Sequence, residues 1–270
     1  MVKSHKSPYP LAPAGWRGWV FDLHFAASFL TRLPLPALPR VADGGLTRAM
    51  RLFPLIGLLI GLVGGGVYAG AVWLGLPPSL AALVSVAATA GLTGGLHEDG
   101  LADTADGFGA PVGRVRKMEI MRDSRIGAFG VLALVFSVGL RAGAIAALAD
   151  PHAVLPALAV AGALSRAAMP LTMRLCDPAR RDGLGASAGH ADDESAFIST
   201  VIAVGSAIAL ALIAFRPAPA VSSVALTFAA VAAVTAMARV QIGGYTGDVL
   251  GAVGQAVEAV VLLTLVVTLS

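Results

Sequence analysis

Charge is what this chain has least of. Only 13% of its 270 residues are Asp, Glu, Lys or Arg, against 57% hydrophobic. A soluble domain usually carries about 25% charged residues, so the charge here is too sparse to cover a water-facing surface of this size. Cysteine is nearly absent. The single Cys176 excludes an intrachain disulfide and reads as a small apolar filler near a helix end. No cleavable leader is expected either: residues 1–18 hold Lys3, Lys6, Pro8, Pro10, Pro13 and Arg17 with no apolar core. That stretch is expected to be a disordered cytosolic tail. No internal repeat of fixed period is evident.

What the chain has in excess is long apolar runs, and its mean hydropathy is +0.81. A helix needs roughly 20 mostly apolar residues to cross about 30 Å of hydrocarbon. Seven stretches qualify, at about 52–76, 79–97, 129–149, 153–175, 197–215, 220–238 and 249–269. The expectation is an all-α, polytopic membrane bundle forming one domain over 19–270. The segment 19–36 carries Asp22, His24 and Arg32 and ends in Leu33-Pro34-Leu35-Pro36, which fits an interfacial or re-entrant helix better than a span. The spans are rich in glycine (Gly57, Gly61, Gly64, Gly65 and Gly66), as expected where helix backbones approach closely.

Lys and Arg fall almost entirely in alternate connections: before the first span, after the second, after the fourth, and as Arg239 after the sixth. The other connections hold only Arg216. The positive-inside rule then places the N-terminus in the cytosol and the C-terminus outside. The net charge of +3 therefore reports orientation and contact with anionic lipid, and no nucleic-acid partner is expected. The long polar connections 98–128, 176–196 and 239–248 share the cytosolic side, so a site is expected there.

Three constellations carry chemistry. Residues 94–109 include His97, Glu98, Asp99, Asp103 and Asp106 among five glycines. Asp99, Asp103 and Asp106 stand at i, i+4 and i+7, on one face of a helix, where like charges repel unless a cation lies between them. All-oxygen donors suit Mg²⁺ or Mn²⁺, and Mg²⁺ commonly bridges carboxylates to phosphate oxygens. Glu98 points about a quarter turn away and is freer to act as a base. His97 reads equally as base, ligand or hydrogen-bonded structural histidine. The second group is Arg122, Ser124, Arg125 and Gly127: guanidinium forks suit phosphate, although anchoring by a surface Arg122–Asp123–Arg125 network explains the same residues. The third is Arg239, Gly243 to Asp248, Gly251, Gln255 and Glu258. Glu258 lies inside an apolar helix, as Arg141 and Arg166 do. Such intramembrane charges mark either a functional site or an ion pair within the bundle.

Together these segments resemble the cobalamin synthase family, the adenosylcobinamide-GDP ribazoletransferases. Gly94-Gly95-Leu96-His97-Glu98-Asp99-Gly100-Leu101-Ala102-Asp103-Thr104-Ala105-Asp106-Gly107 is similar to the family signature. Residues 29–34, 53–57, 121–127 and 243–252 resemble its further motifs in order. The match runs from about 19 to 260 and is weakest over 180–196. The resemblance implies a bacterial inner-membrane transferase with Mg²⁺ as cofactor, facing the cytosol. Its substrates would be adenosylcobinamide-GDP and α-ribazole or its 5′-phosphate, and a homo-oligomer is left open. In this picture Asp99, Asp103, Asp106 and Asp248 hold metal, and Glu98 or His97 handles the attacking hydroxyl's proton. Arg122, Arg125, Arg166 and Arg239 neutralise phosphate, with Ser124 and Glu258 also at the substrate. A transporter, with Glu258, Arg141 and Arg166 lining an ion path, explains the buried charge but not the glycine-flanked acidic helix. A CDP-alcohol-type phosphotransferase places its aspartates at a different spacing.

Overall fold

Helices form where the apolar runs stand. The computed structural model describes residues 13, 15–39, 45–180, 192–214 and 217–269. Among these there is no strand, only an isolated pairing of Pro178 with Tyr245. In chain order the helices are α1 (Gly15–Leu30), α2 (Gly45–Ala49), α3 (Phe53–Trp73), α4 (Pro78–Thr93), α5 (Leu96–Gly109) and α6 (Arg114–Ile120), followed by α7 (Ala128–Leu148), α8 (Pro151–Leu175), α9 (Asp193–Ala214), α10 (Pro217–Ile242) and α11 (Gly247–Leu269). Among the described residues, six helices are long and apolar enough to cross a membrane: the α2–α3 unit and α7 to α11. The pair α4 and α5 adds a seventh candidate, bent by 92°. The expected all-α bundle of about seven spans is the observed one.

The differences are local. The segment expected to be a helix from 19 to 36 is helical from Gly15 and stops at Leu30. Residues 15–18, assigned to the tail from sequence, thus belong to α1; residues 1–12 and 14 lie outside the described residues, as do 181–191 of the connection 176–196. Span two ends at Thr93 rather than 97, and 98–128 contains the helices α5 and α6 rather than a loop. The cause is the pair Gly94 and Gly95, with φ of +66° and +69°. Two successive left-handed residues are cheap only for glycine. Gly95 N–H closes α4 onto the Ala90 carbonyl, while the Gly95 carbonyl accepts from Asp99 N–H and opens α5. The bend turns α5 by 92° away from α4 and packs it against α7 and the start of α11.

Two helices form the centre. Of the span windows, 89% of α8 and 72% of α11 is buried, against 28–44% for the others. Helix α3 packs along α8 backbone to backbone. A methyl group on Gly57 would strike the Gly162 carbonyl, one on Gly61 the Leu158 carbonyl, and one on Gly65 would come 2.6 Å from the Leu155 Cα; nothing lies within 4 Å of Gly66. The close-approach role expected for these glycines thus applies to Gly57, Gly61 and Gly65 against α8, while Gly64 meets Thr89 of α4. Gly162→Ala is expected to cost about 1–3 kcal/mol by overpacking, seen as a lower unfolding midpoint in detergent. Gly66→Ala should leave the midpoint unchanged.

The amino-terminal helix is tied down by charge. Asp22, fully buried, accepts from Arg48 at 2.9 Å and Arg51 at 2.6 Å. The Arg51 guanidinium lies 3.6 Å from the Trp19 ring centroid. This holds α1 against α2 and the start of α3, at the end of the bundle where α5 lies.

Candidate active site

The crossing of α5 with the start of α11 organises the site. Gly100 faces Asp248 and Gly251 faces His97, so tightly that a Cβ on Gly100 would come 2.7 Å from the Asp248 carbonyl. These glycines let two helix backbones touch, and the side chains on either side of the contact meet around one cavity. It has a volume of about 260 Å³; His97, Asp99, Arg180 and Asp248 lie on its wall with apolar residues of α1, α3 and α8.

The three aspartates of α5 share a face but not an environment. Asp99 is exposed, Asp103 half-buried and Asp106 buried. Burial first, and then the charges of Asp99, Asp248 and Asp106, push the Asp103 carboxyl up to about 7. Asp248 is thereby placed in the same electrostatic group, and both Arg122 and Arg180 lie close enough to act on its charge. Arg180 Nη2 is 3.6 Å from Asp248 Oδ2, and Thr246 Oγ1 donates to that same oxygen at 3.1 Å. Among the described residues, no three His, Cys, Asp or Glu side chains are arranged around a point that would hold an ion as they stand.

Asp106 has another task. Its two oxygens accept from Gly127 N–H at 2.7 Å and Gly130 N–H at 2.9 Å. These are donors of the first turn of α7, which has no partner for them within the helix. A Cβ on either glycine would collide with the carboxylate. Asp106 is therefore a cap that joins α5 to α7, and the sequence spacing did not reveal this. Asp106→Ala should lower stability by about 1–2 kcal/mol, measured by unfolding in micelles, with Asp106→Asn intermediate.

Glu98 is not the free base that its position on the helix implied. Its Oε1 accepts from Arg141 Nη2 at 3.0 Å and from Gln255 Nε2 at 3.1 Å. The chain of charges continues inward. Arg141 Nη1 donates to Glu258 Oε1 at 3.2 Å, and Arg166 Nη1 donates to Glu258 Oε2 at 2.7 Å. Ser137 donates to Gln255 at 2.9 Å. Two glutamates and two arginines from α5, α7, α8 and α11 thus form a neutral, buried quartet. Of the alternatives open for Arg141, Arg166 and Glu258, the structure takes the ion pair within the bundle. His97 lies beside this quartet and is 2% exposed. Neither ring nitrogen has a hydrogen-bond partner among the described residues, and the second oxygen of Glu98, Oε2, has none there either.

The arginines expected at phosphate divide. Arg122 is near the carboxylates. Arg125 is 86% exposed and paired with Asp123 at 2.7 Å, which lowers the Asp123 carboxyl to about 2; Ser124 beside it is exposed. Arg239 donates to the Leu175 carbonyl and lines a separate groove with Arg174 and Asp177. Arg180 is the residue that sequence reading missed: it was visible only as one more loop charge. Its place comes from the pairing of 177–179 with Tyr245, where Tyr245 N–H donates to the Asp177 carbonyl and Ala179 N–H to the Tyr245 carbonyl. Arg114 adds a bond to the Ala179 carbonyl at 2.9 Å.

Comparison with known proteins gives the family. The family model described as cobalamin-5-phosphate synthase matches residues 22–266. A protein of Bradyrhizobium diazoefficiens is 49% identical over 92% of this chain and 94% of its own length. One of Mesorhizobium japonicum is 43% identical, again over 92% of this chain and 94% of its own. One of Sinorhizobium medicae is 44% identical over 89% of this chain and 94% of its own. All three are named adenosylcobinamide-GDP ribazoletransferase. No solved structure gives a significant match. With 245 of its residues under the family model, the chain belongs to the cobalamin-5-phosphate synthase family.

Proposed function

We propose that this protein joins adenosylcobinamide-GDP to α-ribazole, or to its 5′-phosphate, giving adenosylcobalamin, or its 5′-phosphate, and GMP. The observation that carries the proposal is the meeting of Asp99, Asp103 and Asp248 with Arg122, Arg180 and the unpartnered His97 at one crossing of helices. The enzyme is multi-pass, in the bacterial inner membrane, with this end of the bundle toward the cytosol. The placement of Lys and Arg in alternate connections supports that orientation.

In the reaction, a ribose hydroxyl oxygen of α-ribazole forms a bond to the cobinamide-side phosphorus. The bond from that phosphorus to the bridging oxygen breaks, and its electron pair leaves with GMP. Either His97, through a ring nitrogen with no other hydrogen bond among the described residues, or Glu98, through its unpartnered Oε2, accepts the hydroxyl proton. Arg180 and Arg122 face the phosphate oxygens and neutralise charge that grows there. The quartet behind His97 fixes the ring's position, and Asp106 fixes α5 against α7. The oxygen donors and the repulsion felt by Asp103 fit a Mg²⁺ held by Asp99, Asp103 and Asp248, which would supply positive charge opposite the pyrophosphate.

Proton and metal then compete for Asp103. The folded-state value near 7 lies above the ordinary 3.8. In the metal-free protein, the stability contributed by the bound proton is present at low pH and is lost as pH rises through about 7. Affinity for Mg²⁺ moves the other way. It should tighten about tenfold between pH 6 and 8 as the proton leaves, measured by calorimetry in nanodiscs. A flat profile would remove Asp103 from the ligand set. For the activity itself, purified protein in lipid is incubated with both substrates and Mg²⁺. Release of GMP in equal amount to corrinoid product is expected; none, with either form of ribazole and an intact fold, would refute the transfer.

A further inference from the structure

The cavity at the α5–α11 crossing has two unlike walls. Its polar residues, His97, Asp99, Arg180 and Asp248, all come from α5, the start of α11 and the 177–180 segment. The residues from α1, α2 and the turn into α3 (Phe29, Leu30, Leu46, Met50 and Phe53) are all apolar, and Leu96 and Leu250 add apolar surface from α5 and α11. Phe29 and Phe53 stack with centroids 5.8 Å apart and planes inclined by only 15°. Phe53 is buried beneath this stack and Phe29 is not, so the pair offers at most one ring face, and this apolar lining is not explained by phosphate chemistry.

Resting on the transfer proposed above, we infer that the apolar wall is the subsite for the benzimidazole base of α-ribazole. Size supports this assignment. At about 260 Å³ the cavity lies below the range of about 300–1,000 Å³ typical of drug-sized ligands. A two-ring heterocycle suits it, and a corrin with its nucleotide does not. Chemistry excludes the other small ring on offer. Guanine carries a carbonyl, an amino group and ring nitrogens along its edges, and burying these against Phe29, Leu46 and Met50 would leave them unsatisfied. The benzo edge of a dimethylbenzimidazole carries methyl groups and needs no partner, its one free ring nitrogen lies on the opposite edge, and its face stacks on an aromatic ring. The polarity gradient also sets the orientation. With the base against the phenylalanines, the ribose projects toward His97, a buried side chain whose nitrogens have no partner among the described residues. The cavity thus chooses the acceptor base and aims its sugar in one step.

Steady-state kinetics in lipid test the assignment. In the wild type, free 5,6-dimethylbenzimidazole should compete with α-ribazole and not with adenosylcobinamide-GDP. Leu46→Trp, which fills the cavity, and Phe29→Leu, which removes a stacking face, should each raise the KM for α-ribazole at least about tenfold. The KM for adenosylcobinamide-GDP should stay within about twofold. Competition of the free base with the corrinoid substrate, or a KM change confined to that substrate, overturns the subsite. Equilibrium dialysis of labelled α-ribazole separates this from the transfer itself. Absence of GMP release from the wild type refutes the transfer, whereas undiminished α-ribazole binding by folded Leu46→Trp refutes the subsite.

Discussion

Glu258→Ala is expected to be the most damaging single substitution in the bundle, costing about 3–5 kcal/mol of stability. Glu258 is the only carboxylate that both Arg141 and Arg166 contact in the quartet, at 3.2 and 2.7 Å, and it is 8% exposed. Removing it leaves two guanidinium groups facing each other in a dry interior, with Glu98 partnering only Arg141. Neither arginine can shed its proton to escape. Denaturation in mixed micelles would read the loss, and a change under about 1 kcal/mol would mean that water reaches the quartet. Glu258→Gln keeps the shape and removes the charge, so it should fall between. A second substitution, Arg166→Met, should recover part of the loss of Glu258→Ala, because it removes one of the stranded charges. Activity should drop with stability here, since His97 packs against the quartet.

Asp103→Asn should separate the two properties. Turnover is expected to fall at least about 10²–10³-fold, the usual cost of removing one preorganised electrostatic group from a transition state. Stability should not fall. The fold already disfavours the charged form of this residue, which burial and the neighbouring Asp99, Asp248 and Asp106 push up to about 7. A neutral amide of the same shape relieves that repulsion, so the unfolding midpoint at pH 8 should be unchanged or higher. Loss of function with a gain of stability marks a group held in place for chemistry rather than for the fold. Near-normal turnover would remove Asp103 from the site. A fall in stability comparable to that of Glu258→Ala would make it a structural residue.

The spans were legible in sequence because hydrocarbon thickness imposes a length on every one of them, and six of the seven predicted segments lie within or nearly within observed helices. The one large error, span two, came from carrying the helix straight through Gly94 and Gly95 to residue 97. Two adjacent glycines permit a backbone path that other residues resist, and that was the available signal. The acidic cluster was legible as a repeating face on α5. Its division was not, because helical period places Asp99, Asp103 and Asp106 together, while tertiary neighbours decide that Asp106 meets the α7 amides. The quartet was the least legible. Glu98 and Arg141 are 43 residues apart, and Arg141 and Glu258 117 apart. Sequence marks each as an expensive intramembrane charge, but nothing local says which one answers which. Arg180 was hidden for the same reason, since its place depends on strand-like pairing of two connections.

The bend at Gly94–Gly95 also fixes how deep the chemistry lies. Helix α4 has 16 residues, which at about 1.5 Å per residue spans roughly 24 Å, less than the roughly 30 Å of hydrocarbon. A helix this short turns the chain sideways within the thickness of a bilayer, and α5 with its carboxylates is expected at headgroup depth rather than in bulk water. There the concentrations that matter are those of the lipid surface. A potential of about −30 mV from anionic lipids enriches a divalent cation roughly tenfold and lowers the local pH by about half a unit. In such an enzyme, apparent metal affinity and pH optimum are properties of the membrane as much as of the protein. They should shift together when vesicles are changed from zwitterionic to anionic lipid.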